Sequence, residues 1–241
     1  MTETVRKTSR PTLSRDLVLE TAVSLADHEG LGALSMRRLG QELGVEAMSL
    51  YHHVANKEAL LDAMVDAAVM ELGAEVGPGG GPEAERDWVA ALRARILTAR
   101  TVMLRHKWLP AVIETRTKLS PPLVAYYEGV LATLVAGGFS YDLAHHTLHA
   151  LGARVLGFSQ ELFDPGKGGG DAADMSEAET AAMAAAFPHL GAMMADIVHE
   201  GGETSIGWCD DQTEFEFGLD VLLDGLERRR AGATTGAPST G

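Results

Sequence analysis

The chain has 241 residues, of which 46% are hydrophobic and 22% charged, enough to build two helical or mixed cores of ordinary size. Its net charge is −14, but residues 1–60 hold seven Lys or Arg against eight Asp or Glu, so nearly all the acidity lies further on. No run of about 18 apolar residues is present, which argues against a membrane span, and the single cysteine, Cys209, excludes an intramolecular disulfide and fits a reducing compartment.

In chain order, MTETVRKTSRPTLSRD has no apolar core and reads as no secretory signal; residues 1–12 are expected to form a basic, disordered arm. A first helix is predicted from about Ser14 to His28, with Leu17, Val18, Thr21, Ala22 and Leu25 on its buried face. Gly30 and Gly32 break it. The stretch SMRRLGQELGVEAMSLYHHVANK then reads as two short helices pivoting on a glycine. Met36, Leu39 and Leu43 share one face, Ser35 stands at an N-cap, and Gly44 stands where a left-handed residue ends a helix. The second short helix covers about Glu46 to His53, with Leu50 and Val54 pointing back at the first. This is the layout of a helix-turn-helix, whose second helix enters the DNA major groove.

Helix four starts near Asn56 and carries Leu60, Leu61, Met64 and Val65 inward. GPGGGP, residues 77–82, is a loop by composition. One helix is predicted from about Glu83 to Arg105, a short one after Pro110, and another from Pro121–Pro122 to about Ala136. Gly137–Gly138 turns the chain into a helix from Tyr141 to about Phe163. A loop at 164–174, an Ala/Met-rich helix from about Ser176 to His199, a third loop, and a last helix from about Gln212 to Arg230 complete the chain, before a polar tail. No strand pattern stands out. The fold class is therefore all-α: a helix-turn-helix domain at 13–75, a helical bundle at 83–230 and a disordered tail at 231–241.

The string LGVEAMSLYHHVANKEALLDAM, following the two helices before it, resembles the DNA-binding domain of the TetR family of bacterial transcriptional repressors. More weakly, AGGFSYDLAHHTLHALGARVLG and FEFGLDVLLDGLERR resemble the regulatory domain of the tetracycline-repressor subfamily. The resemblance implies a cytoplasmic, homodimeric regulator, most simply a repressor, that binds double-stranded operator DNA and a small-molecule effector, with no cofactor, no membrane role and no enzymatic activity. By that resemblance the DNA contacts fall at Arg37, Ala47, Met48, Ser49, Tyr51, His52, His53 and Lys57. Arg37 has the fork geometry for a bidentate bond to guanine, or a phosphate contact instead. Lys57, near a helix N-terminus, suits a phosphate. Ala47 and Met48 stand where the subfamily has Gln and Pro; they offer no hydrogen bond but can touch a thymine methyl. Arg6, Lys7, Arg10, Arg15 and Arg38 are further basic residues expected to face phosphates.

The resemblance also places an effector site at Arg95, Ala99, Ile113, Arg116, Val130, His145, His149 and Glu161, with Trp108, Phe158, Tyr126 and Met103 nearby. The subfamily's drug-chelating histidine falls at Ile113, and the Asn, Phe and Gln that hold the drug fall at Arg95, Ala99 and Val130. A metal–tetracycline chelate has lost its anchors here, and a bulky hydrophobic ligand fits the remaining residues better. His145 and His149 sit at i, i+4 and can chelate a metal if Glu161 or Asp142 supplies a third ligand. A structural or ligand-contacting role for the two histidines is the expectation, with no metal site. Phe215, Leu219, Leu222, Leu223 and Leu226 form an apolar stripe that suits either a two-fold helical interface or burial within one subunit. The rival to a DNA-binding regulator is a dimeric helical protein whose helix-turn-helix has lost DNA and works through protein partners. An enzyme would need a nucleophile or carboxylate pair, and only Glu161 and the histidines are at hand.

Overall fold

Ser14 opens the first helix by accepting a hydrogen bond at Oγ from the Leu17 amide, 3.1 Å away, and α1 (Arg15–Glu29) follows. The computed structural model describes residues 12–157, 176–196 and 211–235. Among them are twelve α-helices, two more than the periodicity predicts, and no strand. Val18, Ala22, Leu25 and Ala26 form the buried face of α1. A single 3-10 turn at Leu31–Ala33 leads to α2 (Met36–Leu43), capped by Ser35 and closed by Gly44 in left-handed geometry, φ 68° and ψ 35°. An L-residue with a Cβ is strained there, so the sequence punctuation at Ser35 and Gly44 is realised in the fold. α3 (Ala47–Leu50) is a single turn continued by tighter turns to Val54, and Asn56 caps α4 (Lys57–Val76) by accepting from the Ala59 amide.

The predicted helix from Glu83 to Arg105 is two helices. α5 (Gly81–Arg86) ends at Asp87, whose backbone leaves the helical region (φ −151°, ψ 81°). Its carboxylate then accepts from the Ala90 amide to cap α6 (Trp88–Arg105). Aspartate competes poorly inside a helix and well at its start, so the break forms where it stands. α7 (Leu109–Glu114) and α8 (Pro121–Ala136) each begin with proline in the first turn, where no amide is missed. The Gly77–Gly80 loop runs against α8: a Cβ on Gly79 would lie 2.1 Å from the Gly129 carbonyl oxygen. Only glycine at 79 permits that backbone approach.

The Ala/Met-rich helix is likewise two, α10 (Glu177–Ala186) and α11 (Pro188–Asp196), divided at Phe187 because Pro188 has no amide to continue the ladder. α9 is Tyr141–Gly157, and α12 is Asp211–Thr235, running five residues past its predicted end into the segment expected to be a disordered tail.

The chain divides into two compact units, Met1–Ala144 and His145–Gly241. Within the first unit, α4 joins the helix-turn-helix to the helices that follow. It buries eight residues between Leu60 and Leu72 and packs on α1, α6, α7 and α8, so the helix-turn-helix shares its core with the helices that follow. That core runs from Val18 and Leu39 through Leu50 and Met64 to Ala99, Val102, Trp108 and Leu123.

Candidate nucleic-acid interface and effector site

The helix-turn-helix is held at its crossing by Gly40. A Cβ there would stand 2.9 Å from the Val45 carbonyl oxygen and 3.2 Å from the Ala47 amide nitrogen, both backbone atoms that cannot yield cheaply. The absent side chain lets α2 touch the start of α3. Leu39 and Leu50 are fully buried behind the contact, which fixes the outward face. On that face Arg37, Met48, Tyr51, His52 and Lys57 are exposed, and Ala47, Ser49 and His53 are half-buried. Met48 is 73% exposed, the largest value among the big apolar side chains of the helix-turn-helix.

The two adjacent arginines part company. Arg37 is exposed and forms no ion pair among the described residues. Arg38 is clamped by Glu42 and Glu29, both at 2.6 Å, and these two carboxylates, Glu42 first, push its already high pKa further up. Arg38 therefore braces α1 against α2, and its two carboxylates compete with any phosphate for the guanidinium. Lys57 donates one N–H from Nζ to the Leu34 carbonyl at 2.8 Å, tying the turn before α2 to the start of α4, and keeps two donors for another partner. Of the arm, Arg6, Lys7 and Arg10 lie outside the described residues; Arg15 is exposed on α1.

On the effector side the polar residues are already engaged. Arg95 is 5% exposed and donates from Nη2 to the Val76 and Gly77 carbonyls at 3.2 and 2.9 Å, capping the C-terminal end of α4. Burial lowers its pKa, and its guanidinium carbon lies 6.0 Å from the centre of the Tyr126 ring. Burial also pushes the Tyr126 phenol up to about 12, so it stays a neutral donor. Arg116 grips α4 through Asp62 and Glu58, each at 2.9 Å. Trp108 is 4% exposed and donates from Nε1 to Asp27 at 2.6 Å. These three were expected to contact a ligand; the fold uses Arg95 as a helix cap, Arg116 as a brace on α4, and Trp108 as a tie to α1. The apolar members keep the expected character. Ala99 and Val130 are buried, and Met103, Ile113 and Tyr126 are half-buried against the common core.

A polar node centred on the buried His106 joins α1, α4 and the α6–α7 junction, and no local pattern in the sequence signals it. His106, 5% exposed, places Nδ1 2.9 Å from Asp27 Oδ1 and Nε2 3.3 Å from Glu71 Oε2, while Arg105 also pairs with Glu71. Asp27 and His106 are 79 residues apart, with no local pattern to link them. Gly40 also went unread, although a glycine inside an eight-residue helix is a signal that calls for a reason.

In the second unit His145 and His149 are exposed on α9, whose stretch to Gly157 stops short of Phe158 and Glu161; those two lie outside the described residues, as does Cys209. Asp142 is exposed, and among the described residues no group of three metal-ligating side chains forms. The stripe of α12 resolves towards burial within one chain: Phe215, Leu219, Leu223 and Leu226 are covered by the chain itself, and Leu222 is half-buried. Phe217 and Val221, one turn apart and 68% and 53% exposed, are what α12 leaves outside.

Two family profiles match the chain: bacterial regulatory proteins of the tetR family over residues 18–64, and the tetracyclin repressor-like C-terminal domain over residues 81–230. The HTH-type transcriptional repressor DrrR1 of Streptomyces coeruleorubidus is 33% identical, over 93% of this chain and 82% of its own length. The class C tetracycline repressor protein of Escherichia coli is 28% identical over 90% and 92%. Apo ActR from Streptomyces coelicolor superposes with a TM-score of 0.71 at 27% identity, over 93% of this chain and 100% of ActR, a protein also solved in complex with actinorhodin. With a helix-turn-helix built on Gly40, an all-α body behind it and both profiles matched in order, this chain belongs to the TetR family of transcriptional regulators.

Proposed function

We propose that this protein is a ligand-responsive repressor that binds a palindromic operator as a homodimer and leaves it when a bulky hydrophobic small molecule binds. The observation that carries the reading is the outward face of the helix-turn-helix, where Arg37, Met48, Tyr51 and His52 are exposed. Arg37 supplies a bidentate donor for guanine, Met48 and Ala47 apolar contact for a thymine methyl, and Tyr51, His52, His53, Ser49 and Lys57 hydrogen bonds to the backbone. No helix among the described residues is long and apolar enough to cross a membrane.

Two half-sites one helical turn apart require two recognition helices about 34 Å apart, hence two copies of the chain. The exposed Phe217 and Val221 of α12 support a self-complementary apolar face. On the effector side, the engagement of Arg95 and Arg116 within the fold leaves Ala99, Met103, Ile113, Tyr126 and Val130, which supports an apolar ligand; the complex of ActR with actinorhodin supports small-molecule control in the same family. The switch runs through Asp27. A ligand that displaces α7, which carries Ile113, acts on α1 through the Trp108–Asp27 and His106–Asp27 bonds. To turn a mostly competent population into a mostly incompetent one, it must prefer the second by roughly 10⁴-fold.

Footprinting on the DNA flanking the protein's own gene tests this, with actinorhodin as probe ligand and tetracycline as contrast. The expected result is protection of two symmetric half-sites, release by actinorhodin and no release by tetracycline, since Ile113 has no atom to hold a metal chelate. No protection at all would favour the helical protein that acts through protein partners. Protection of a single half-site would overturn the dimer, and protection that no ligand relieves would overturn the switch.

A further inference from the structure

Arg95 is 5% exposed, and among the described residues no carboxylate pairs with it. Its Nη2 spends both N–H groups on the Val76 and Gly77 carbonyls, at 3.2 and 2.9 Å. Nη1, with two N–H groups, and Nε, with one, donate to no described residue. The guanidinium is seated where two side chains are missing. A Cβ at Gly79 would stand 2.8 Å from Nη2, and a Cβ at Gly129 would stand 2.8 Å from Nη1 and 3.2 Å from Cζ. The fold thus makes room for a buried cation and gives it no counter-ion.

Its surroundings do not neutralise it. The C-terminal end of α4 offers roughly half an opposite charge. The Tyr126 ring centre lies 6.0 Å from Cζ, at the limit of a cation–π contact. Burial pushes the Tyr126 phenol up to about 12, so it supplies no negative charge either. Ala99, one turn further along α6, and Val130, next to Gly129 on α8, are buried and apolar. Water screens little in such a place, and a fixed cation acts strongly on an anionic atom at hydrogen-bond distance. We propose that Arg95 anchors an anionic oxygen of the effector, which is then an aromatic carboxylate: apolar rings against Ala99 and Val130, and one carboxylate on Nη1. Nη2 keeps its hold on α4, so cap and anchor coexist. The proposal rests on the reading of these helices as the effector site and adds to it the charge of the ligand.

The test uses anthraquinone-2-carboxylate and anthraquinone-2-carboxamide, which share their rings and shape and differ in charge. Each is titrated calorimetrically into the full chain, and operator retention is read in the same samples. The wild type is expected to bind the carboxylate at least about tenfold more tightly than the amide. Arg95→Met should level the two affinities by weakening the carboxylate alone. Arg95→Lys, which keeps a cation at the position, should retain part of the preference. Circular dichroism checks the helix content of both variants, and the wild-type preference is a test that needs neither. Equal binding of the two compounds by the wild type, or a preference kept in Arg95→Met, overturns the anchor and leaves the apolar effector site standing. Binding of neither compound overturns both. A preferred carboxylate that leaves operator affinity unchanged supports the anchor and overturns the switch.

Discussion

The DNA-facing helices and the helices behind them use polar side chains in opposite ways. On α2 and α3 the polar residues project outward, and Arg37 spends none of its five donors on an ion pair within the described chain. On α6 to α8 the polar residues expected to meet a ligand are engaged at home: Arg95 caps α4, Arg116 braces it, and Trp108 donates to Asp27. A cation left without an internal partner on a rigid helical hairpin is free for an external one. A buried cation needs its hydrogen bonds inside the fold, or it would cost several kcal/mol. The neighbours Arg37 and Arg38 show the same contrast on one helix, since only Arg38 has carboxylates within reach.

The largest expected effect comes from breaking the scaffold that the reading face rests on. Gly40→Val should destabilise the protein by about 3 kcal/mol, because the new Cβ meets the backbone of Val45 and Ala47 and the two helices must separate. Urea denaturation should register the loss, and operator retention should vanish with it. An unchanged midpoint would mean that the α2–α3 contact is more yielding than its distances indicate. Asp27→Ala comes next. It leaves the buried Trp108 N–H and the His106 ring without their acceptor, at about 2 kcal/mol, read as a lower denaturation midpoint with the helix content kept. If the node also carries the switch, effector binding in this variant should no longer alter operator affinity. The smallest effect in stability is the sharpest test of the comparison. Arg37→Ala should leave the midpoint where it was and lower specific operator affinity about tenfold, the order of one bidentate base contact. Arg38→Ala, by contrast, should leave the preference for operator over random DNA unchanged. Equal loss of preference in both variants would erase the distinction between the two arginines.

Much of the front of the molecule was legible because its signals are local. The caps at Ser14, Ser35 and Asn56 act across three residues, and Gly44 acts at its own backbone, so each could be placed from its neighbours alone. The same locality explains two misreadings. Asp87 and Pro188 both interrupt apolar periodicity that looked continuous, and in each case capping chemistry or a missing amide prevailed over the pattern. The effector residues were harder, since a position in an alignment gives an address and no information about what the side chain touches. Arg95 was placed correctly on α6, yet its partners are carbonyls eighteen and nineteen residues earlier.

By itself, then, the sequence determined the all-α class, the caps and turn of the helix-turn-helix and the family, since these rest on backbone preferences and short-range spacing. Tertiary structure alone decided that α4 merges the helix-turn-helix with the helices behind it and that Asp27, Glu71 and His106 meet. It also decided that most of the α12 stripe is spent within one chain, leaving Phe217 and Val221 outside. Burial and long-range pairing depend on which faces come together in space, and a one-dimensional pattern of apolar residues is the same whether its partner is the chain's own core or a second molecule.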